Sequence, residues 1–330
     1  MKCKNIIAKM KTKILKNSKK SILYAAELLK KGDTIALPTE TVYGLAGRYD
    51  NNKTIEKIFS IKNRPLNNPF IIHYSSSDLA LADIYFDSRA EILAKKFWPG
   101  PLTLVAKVKN KKISKLALSG LETVAVRVPS NKIILSIIEH VNIPLAAPSA
   151  NRYGKLSPTS AKDVYEELNG KISTIYDGGS TNIGVESTVV DISKKETAVL
   201  RYGGIDESLI NDLTNLKRKK IVSKKFLSPG LSKSHYKPNT PLRINASYPK
   251  KNEGWLAFGK KPKNFKGIIL SLSKKKCLKE SAKNLYKMLR LLDKKDITTI
   301  AVQKIPKRGI GLAINDRLER AAYNSKFKNE

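Results

Sequence analysis

The sequence has little cysteine and no long apolar run. Its two cysteines, Cys3 and Cys277, are far apart and match no metal-binding spacing, which argues for a reducing compartment and against a disulfide framework. No stretch of about 18 consecutive apolar residues occurs, so we expect no membrane span. The basic residues 1–19 lack the continuous apolar core of a secretory signal. We therefore expect a cytoplasmic protein with no membrane partner.

Several common catalytic motifs are absent as well. The chain has no Gly-x-x-x-x-Gly-Lys-Ser/Thr nucleotide loop, no Gly-x-Gly-x-x-Gly that opens a helix and no Gly-x-Ser-x-Gly elbow. No cysteine and histidine stand at a spacing that suggests covalent catalysis. A P-loop nucleotide site and an activated nucleophile are therefore not expected.

Acidic residues are scarce, because 28 Asp and Glu stand against 63 Lys and Arg and the formal net charge is +35. A surface of this charge attracts nucleic acid without sequence preference. The competing interpretation is that lysine is simply the usual surface residue of this protein. We favour that interpretation because no RNA-reading motif is present and no aromatic residues alternate with the basic runs.

The chain is long enough for one large or two ordinary domains, since 41% of its 330 residues are apolar. Strand and helix patterns alternate over residues 20–206 and again over 239–330, which predicts two α/β domains. Residues 207–238 are rich in lysine, proline, glycine and serine, as an interdomain linker is. Residues 1–19 are interpreted as a basic N-terminal extension.

A loop at residues 61–73 carries the most distinctive pattern. Lys62 and Arg64 open it, and Pro65 and Pro69 follow. Each proline fixes its own φ and disfavours helix at the residue before it, which predicts a stiff, extended loop. Two cations on a rigid loop suit a polyphosphate or a carboxylate, because little side-chain entropy is lost on binding. The alternative is an exposed basic loop without a ligand.

Two polar residues lie within apolar strand patterns. Arg127 occurs in the strand predicted at 123–128 and shares its face with Thr123. A buried arginine is costly unless it binds a ligand or forms a salt bridge with an inward carboxylate, and both readings stay open. His73 ends the strand predicted at 70–74 and can point away from the core, although a purely structural histidine is the alternative.

Neutral hydrogen-bonding groups follow other predicted strands. Small residues at 144–147 lead to Ser149, and Ser157 precedes a helix whose N-terminus favours anions. Ser187 follows a glycine-rich turn, and Arg201 ends the last strand before the next helix. If these groups converge, they form a site rich in cations and hydroxyls and poor in acids. Such a site fits catalysis by positioning and by neutralising anionic reactants, as in adenylyl transfer.

An ordered set of motifs resembles one enzyme family. The motifs, in chain order, are LPTETVYGLAG, KNRPLNNPFIIH, FWPGPLTLV, ETVAVRVP, PLAAPSAN, SPT, DGG…GVESTVVD, LRYGG and SPGLSKSHYKPNTP. With them the chain resembles, over residues 21–205, the YrdC-like domain of the threonylcarbamoyl-AMP synthase family, and the linker resembles that of the longer members, which carry an extra C-terminal domain. The resemblance implies an α/β fold: a twisted mixed sheet with helices around a basic cavity, plus a smaller, Rossmann-like C-terminal α/β domain.

The resemblance also implies a reaction. L-threonine, bicarbonate or CO₂, and ATP with its Mg²⁺ give threonylcarbamoyl-AMP and pyrophosphate, a nucleotidyltransferase reaction. A separate tRNA threonylcarbamoyl transferase then uses the product to modify the adenosine next to the anticodon. The protein itself is expected to supply no side-chain ligand to the metal.

Carried over residue by residue, the resemblance implies three groups of site residues. The catalytic positions are Lys62 and Arg64. The ATP-binding positions are Lys62, Arg64, Asn68, Thr123, Ser149, Ser157, Arg201 and Tyr236. The threonine-binding positions are Thr41, His73, Arg127, Ala147 and Ser187. Tyr236 lies in the linker, which we expect to act as a lid, so that Tyr236 loses protease exposure when both substrates bind.

Two other functions remain as alternatives. The first is a module that binds double-stranded RNA or tRNA through the same basic cavity, without synthase activity. It predicts a steep dependence of RNA affinity on salt and no threonine-dependent turnover. The second is a carbamoyl-adenylate-forming domain that uses carbamoyl phosphate, which the absence of zinc-finger and acylphosphatase-like regions disfavours.

Overall fold

Short polar side chains begin most helices of the first domain. Ser18, Asn51, Asp87, Asn131 and Ser160 each accept a hydrogen bond from a backbone N–H in the first turn of the helix that follows. These bonds satisfy amide groups that the first helical turn leaves without an intrahelical partner. The helix starts are therefore encoded locally.

The computed structural model describes residues 11–214, 234–260 and 265–323. In these ranges the helices are α1 Lys19–Lys30, α2 Asn52–Lys62, α3 Ser77–Ala82, α4 Ser88–Phe97, α5 Lys132–Val141, α6 Ala161–Leu168, α7 Glu207–Thr214, α8 Leu278–Asp293 and α9 Gly311–Ala322. The strands are β1 Lys13–Leu15, β2 Ile35–Leu37, β3 Gly44–Arg48, β4 Ile71–His73, β5 Ile84–Tyr85, β6 Leu102–Val108, β7 Thr123–Arg127, β8 Leu145–Ala146, β9 Thr174–Tyr176, β10 Thr188–Asp191, β11 Ala198–Arg201, β12 Leu242–Ala246, β13 Glu253–Ala257, β14 Ile269–Ser271 and β15 Thr299–Gln303.

The first eleven of these strands form one mixed sheet. Its order is β1-β9-β2-β3-β8-β4-β7-β6-β10-β11, and β5 pairs with β6. Strands β4 and β7 are parallel, and their register places His73 opposite Arg127. Cross-strand partners lie on the same face of a sheet, so this pairing brings two predicted site residues side by side.

The remaining four strands form a separate, all-parallel sheet in the order β12-β15-β13-β14. Helices α8 and α9 pack against it through Leu285, Leu289 and Leu318. A small parallel sheet with packed helices is what the Rossmann-like expectation requires.

Both faces of the large sheet are buried. Along β2, Ala36 packs into one apolar cluster, while Ile35 and Leu37 pack into another. The core of the C-terminal domain also takes in Val42 and Val185 from the first domain. The two domains therefore share a continuous apolar contact next to the glycine-rich turn.

The loop at residues 61–73 differs from its prediction. Helix α2 continues through Lys62, and Asn63 then adopts the left-handed conformation with φ 51° and ψ 46°. A turn follows, in which the Asn68 N–H donates to the Pro65 carbonyl at 3.2 Å. The helix that the apolar spacing predicts over 52–62 is therefore confirmed, whereas the expectation of an extended loop after it is wrong at residues 65–68, where the chain turns.

The structure bears on the predicted N-terminal limit of the first domain. Strand β1, at residues 13–15, lies inside the range 1–19 assigned to an extension, and it adds an edge strand to the large sheet beside β9. The boundaries near residues 206 and 239 stay predictions. Of the linker, residues 215–233 lie outside the described residues.

Candidate active site

One cavity collects side chains from strand ends and turns that are far apart in sequence. It encloses about 50 Å³ of free space. Its lining includes Thr39, Thr41, Val42, Gly44, Arg64, Ile71, His73, Arg127, Ala147, Pro148, Ser149, Glu186, Ser187, Arg201, His235 and Tyr236. Arg64, Arg127 and Arg201 thus face one common space, as expected. Nine of the predicted site residues line it.

Arg64 is held in a fixed position by the loop that contains it. Its Nε donates to the Asn68 carbonyl at 3.0 Å, and its Nη2 donates to the Asn68 Oδ1 at 2.6 Å and to the Pro69 carbonyl at 2.9 Å. The predicted residue Asn68 therefore does not line the cavity; it orients Arg64. A guanidinium held by three bonds loses little entropy when an anion binds.

Lys62 lies behind the cavity wall, at the last position of α2. Its Nζ donates to the Ser149 and Asn151 carbonyls, each at 2.5 Å. Burial, and next the charge of Arg64, hold the pKa of Lys62 well below its usual range. Burial also lowers the pKa of Arg64 and of Arg201. These desolvated cations make the region strongly favourable for an anionic ligand, which would offset the cost of their burial.

Arg127 forms a buried salt bridge, which realises the structural alternative left open by the sequence. Its Nη2 donates to the Glu40 Oε1 at 2.7 Å, its Nη1 to the Thr41 Oγ1 at 3.0 Å, and its Nε to the Gly100 carbonyl at 3.2 Å. The Glu40 Oε2 has no hydrogen-bond partner among the described residues. Glu40 thus presents to Arg127 the same chemical group that a substrate carboxylate would.

His73 is neutral in this setting. Burial, and next the charge of Arg127, lower the pKa of His73 to about 3. Its Nδ1 is buried and has no hydrogen-bond partner among the described residues. A buried polar atom without a partner at a cavity wall is a site where a ligand can bond.

A segment of small residues forms the opposite wall. The Ala147 N–H donates to the Ile71 carbonyl at 3.1 Å, and Ser149 pairs with Gly44 in an isolated β-bridge. A Cβ on Gly44 would lie 3.2 Å from the Ala147 Cβ. The small side chains therefore let two backbone segments approach closely and leave the wall open to a ligand.

Ser187 and Arg201 form a third part of the wall. The Arg201 Nε donates to the Ser187 carbonyl at 3.1 Å, and its Nη2 contacts the Ser187 Oγ at 3.0 Å. The Ser187 Oγ also lies 2.7 Å from the Thr103 Oγ1. A Cβ on Gly203 would come within 2.2 Å of the Thr188 N–H nitrogen, so only glycine lets this turn pass so near.

The cavity lining is poor in acids, as expected, because Glu186 stands there against three arginines, and a second acid, Glu40, contacts one of those arginines from outside the lining. Glu40 pairs with Arg127, and Glu186 lies in the cavity wall, where its Oε1 accepts from the Ser157 Oγ at 2.5 Å. Ser157, predicted to contact ATP, is therefore bonded to Glu186 and does not itself line the cavity. Both acids are inside quoted motifs, but nothing in the local sequence tells which cation each will meet.

The end of the linker forms part of the cavity wall through His235 and Tyr236. His235 is 6% exposed and Tyr236 is 2% exposed, and their rings lie 4.2 Å apart between centroids. The Lys237 N–H donates to the Gly154 carbonyl at 2.7 Å. Tyr236 is therefore buried in this structure, and the expected change in its protease exposure on substrate binding stays a prediction. The free space of the cavity is smaller than the roughly 300–1,000 Å³ that ligand sites usually offer.

Thr123 does not line the cavity. It begins strand β7, four residues before Arg127, which is about 13 Å along a strand. Its assignment to ATP binding stays a prediction.

No helix in the described part of the chain is long and apolar enough to cross a membrane. Over the same residues, no group of three or more His, Cys, Asp or Glu side chains is placed to hold a metal ion.

The fold and the cavity together define a class of protein. It is an α/β protein whose large mixed sheet carries, at strand ends and turns, a small cavity lined by three arginines. Comparison with known proteins gives the family.

A family model described as "Telomere recombination" matches residues 27–203, and one described as "Threonylcarbamoyl-AMP synthase, C-terminal domain" matches residues 197–323. The chain is 37% identical over 320 residues to the threonylcarbamoyl-AMP synthase of Bacillus subtilis, covering 91% of this chain and 92% of the relative. It is 38% identical over 319 residues to that of Pyrococcus abyssi, covering 91% and 94%.

A solved structure is similar over nearly the whole length. The crystal structure of Pyrococcus abyssi Sua5 complexed with L-threonine superposes with a TM-score of 0.86 at 34% identity, covering 95% of this chain and 97% of that one. The chain therefore belongs to the threonylcarbamoyl-AMP synthase family, which confirms both the resemblance and the predicted fold class.

Proposed function

We propose that this protein is an L-threonylcarbamoyladenylate synthase. It condenses L-threonine, bicarbonate or CO₂, and ATP to threonylcarbamoyl-AMP and pyrophosphate. The observation that carries the proposal is the convergence of Arg64, Arg127 and Arg201 on one cavity whose polar wall atoms are partly without partners. Relatives of the same length are named for this product, and one was solved with L-threonine bound.

The threonine half of the cavity is assigned to the strand ends. Arg127 holds the substrate carboxylate with its planar fork and exchanges its contact with Glu40 for it. The neutral His73, the Thr41 and Ser187 hydroxyls and the small Ala147 surround the rest of the amino acid. His73 is opposite Arg127 in the β4–β7 register, so one face of the sheet presents both groups.

The nucleotide half is assigned to the other two arginines and their neighbours. Arg64 meets the triphosphate from one side, and Arg201 and Ser149 meet it from the other. Lys62, which lies behind the wall on the Ser149 carbonyl, reaches the phosphates once the end of the linker shifts. Tyr236 lies against the nucleotide after the linker shifts. An ammonium has three donors, so Lys62 keeps one N–H for a phosphate while two hold the Ser149–Asn151 backbone.

The chemistry needs positioning more than a reactive side chain. Bicarbonate enters the step by losing hydroxide to become CO₂. The threonine amine, as its free base, then adds to the carbon of CO₂ and loses a proton to solvent, which gives a carbamate. A carbamate oxygen then attacks the α-phosphorus, the bond to the β-phosphate breaks, and pyrophosphate leaves. The reaction is a nucleotidyl transfer in which buried cations stabilise the charge that develops on the phosphates.

Mg²⁺ is expected to enter with ATP. The two acids near the cavity are paired with arginines, so the chain's own residues fit a metal held by phosphate oxygens and water and not by a carboxylate cluster. When bound, such an ion neutralises phosphate charge.

The product is proposed to pass to a tRNA threonylcarbamoyl transferase, and a contact with double-stranded RNA or tRNA would follow from the basic surface. The cytoplasmic location expected from the sequence is kept. RNA binding without synthase activity is not favoured, because the relatives that cover the whole chain are named as synthases.

The proposal is tested by mixing protein, ATP, Mg²⁺, ¹³C-bicarbonate and threonine and searching for labelled threonylcarbamoyl-AMP by mass spectrometry. Pyrophosphate release should depend on both threonine and bicarbonate. Arg64→Ala should lower it at least tenfold, while Arg48→Ala, which removes an arginine paired with Asp50 outside the cavity, should not. Labelled product that never appears, or Arg64→Ala at wild-type rate, would refute the assignment.

A further inference from the structure

Glu186 is the point where the cavity meets the C-terminal domain. Its carboxylate is 6% exposed and lies in the cavity wall. On one side it accepts from the Ser157 Oγ at 2.5 Å. On the other side it accepts from the hydroxyl of Tyr286, on α8, at 3.0 Å to each oxygen. A third donor, Arg317 on α9, contacts the Glu186 Oε2 through Nε and Nη2, both at 3.0 Å.

Arg317 touches the catalytic domain at more than this carboxylate. Its side chain is 1% exposed, and its Nη1 donates to the Tyr202 carbonyl at 2.6 Å. Its guanidinium carbon lies 5.3 Å from the centre of the Tyr236 ring, within the range of a cation–π contact. Arg317 of the C-terminal domain therefore contacts three groups at the cavity: the Glu186 carboxylate, the Tyr202 carbonyl and the Tyr236 ring.

The charges explain why such a contact is needed. Burial raises the pKa of Glu186, but the charges of Arg317 and Arg201 outweigh it and the pKa is lowered, so the group stays ionised. A carboxylate at the wall of a cavity for polyphosphate repels its ligand unless a cation neutralises it. Removing Arg317 would leave that negative charge with only hydroxyl partners and Arg201.

We propose that Arg317 is a positioning residue for nucleotide binding: its two-point ion pair holds the Glu186 carboxylate, with its partner Ser157, away from the nucleotide phosphates and keeps Tyr236 in the cavity wall. The C-terminal domain thereby completes the site by supplying one side chain. The inference rests on the proposed function, because it takes the phosphates to be those of ATP.

The first test is Arg317→Ala, with the KM for ATP measured in the synthase reaction and the Kd for ATP measured by calorimetry. Both should rise at least tenfold, whereas kcat changes by less than threefold. Adding Glu186→Gln removes the unpaired charge but keeps the shape. The double variant should therefore return to within about threefold of Glu186→Gln alone, a non-additive result that lost packing does not produce.

Arg290→Ala is the matched control. Arg290 is another mostly buried arginine of the C-terminal domain that pairs across the domain contact, with Glu167 at 3.2 Å, but it does not touch Glu186. It should lower the unfolding temperature without raising the Kd for ATP. Arg317→Lys is used if the alanine variant does not fold, because it keeps the charge but offers a single contact point. It should raise the Kd for ATP by a smaller factor than Arg317→Ala, and adding Glu186→Gln should again reduce that rise.

The outcomes separate the two proposals. If the wild type makes no threonylcarbamoyl-AMP but binds ATP as described, the proposed function fails and the calorimetric arm still decides the role of Arg317. If the wild type is an active synthase, the inference is overturned by an unchanged Kd in the Arg317 variants, by no relief from Glu186→Gln, or by an equal rise in Arg290→Ala.

Discussion

Two buried histidines face the same cavity from different parts of the chain. His73 comes from strand β4 and His235 from the end of the linker, and both have a buried Nδ1 without a hydrogen-bond partner among the described residues. Burial lowers the pKa of each to about 3, with Arg127 acting further on His73. Cations nearby keep the rings neutral, so they suit contact with neutral or anionic groups and not proton transfer near neutral pH.

These two histidines predict how stability depends on pH. In the unfolded chain an imidazole takes up its proton near pH 6.5, whereas the folded protein does so only near pH 3. The unfolded state therefore binds more protons below pH 6.5, and the free energy of unfolding falls as pH falls from 6.5 towards 3. The loss between pH 6.5 and 5.5 should be about 2 kcal/mol for the pair, and it should level off above 6.5.

Denaturant unfolding at pH 7.5, 6.5 and 5.5 measures this dependence. His73→Gln should remove about half of the loss between pH 6.5 and 5.5, and the double variant with His235→Gln should remove most of it. An unchanged slope in both variants would show that other groups cause the dependence.

Helix α2 sets the position of the cations in the nucleotide half. It begins at an Asn51 cap and ends at Asn63, whose left-handed backbone reverses the chain so that the Arg64 N–H bonds to the Phe59 carbonyl at 3.0 Å. This reversal turns Arg64 towards the cavity while Lys62 stays beneath it. A residue that tolerates positive φ is therefore needed between the two cations.

Asn63→Ala tests the role of this helix end. Alanine should cost about 1 kcal/mol of stability, because its Cβ disfavours the left-handed conformation, whereas Asn63→Gly should change stability by less than about 0.5 kcal/mol. Asn142→Ala is the control, because Asn142 ends α5 with φ 56° away from the cavity. Both alanine variants should lose stability in denaturant unfolding, but only Asn63→Ala should also raise the KM for ATP. An equal rise in the control would contradict the argument.

At the scale of the whole molecule, the glycine-rich turn joins the two domains. Gly184 has φ +81°, its N–H donates to the Thr41 carbonyl at 3.2 Å, and a Cβ there would lie 2.5 Å from the Ala282 carbonyl oxygen on α8. The turn therefore connects a predicted threonine-binding residue directly to the C-terminal domain. Only a residue without a side chain lets α8 come this close.

Gly184→Ala tests the close contact between this turn and helix α8, because the added Cβ should push the two apart. The substitution combines positive φ with a backbone clash, so it should cost about 1–3 kcal/mol more than Gly179→Ala. Gly179 is the matched control, since it has φ +77° in the same turn but no atom within 4 Å of an added Cβ. Thermal unfolding of both variants measures the difference, and equal unfolding temperatures would mean that α8 does not press on this turn.

The pattern of residues by itself determined the local elements and the family. Helices at 52–62 and 278–293 follow from their apolar spacing, because a period of 3.6 is a local property. The ordered motifs determined the resemblance, because each motif consists of consecutive residues and can be recognised without knowing how the chain folds. The cations Arg64, Arg127 and Arg201 could therefore be named without coordinates.

Only the tertiary structure decided which group each of those side chains meets. Glu40 and Arg127 are 87 positions apart, and Glu186 and Arg317 are 131 apart, so no local pattern pairs them. Electrostatic energy depends on distance in space and on burial, and both are set by how the sheets and the two domains pack. That is why the two acids at the site, Glu186 in the cavity lining and Glu40 on Arg127, are each neutralised by an arginine from a distant part of the chain.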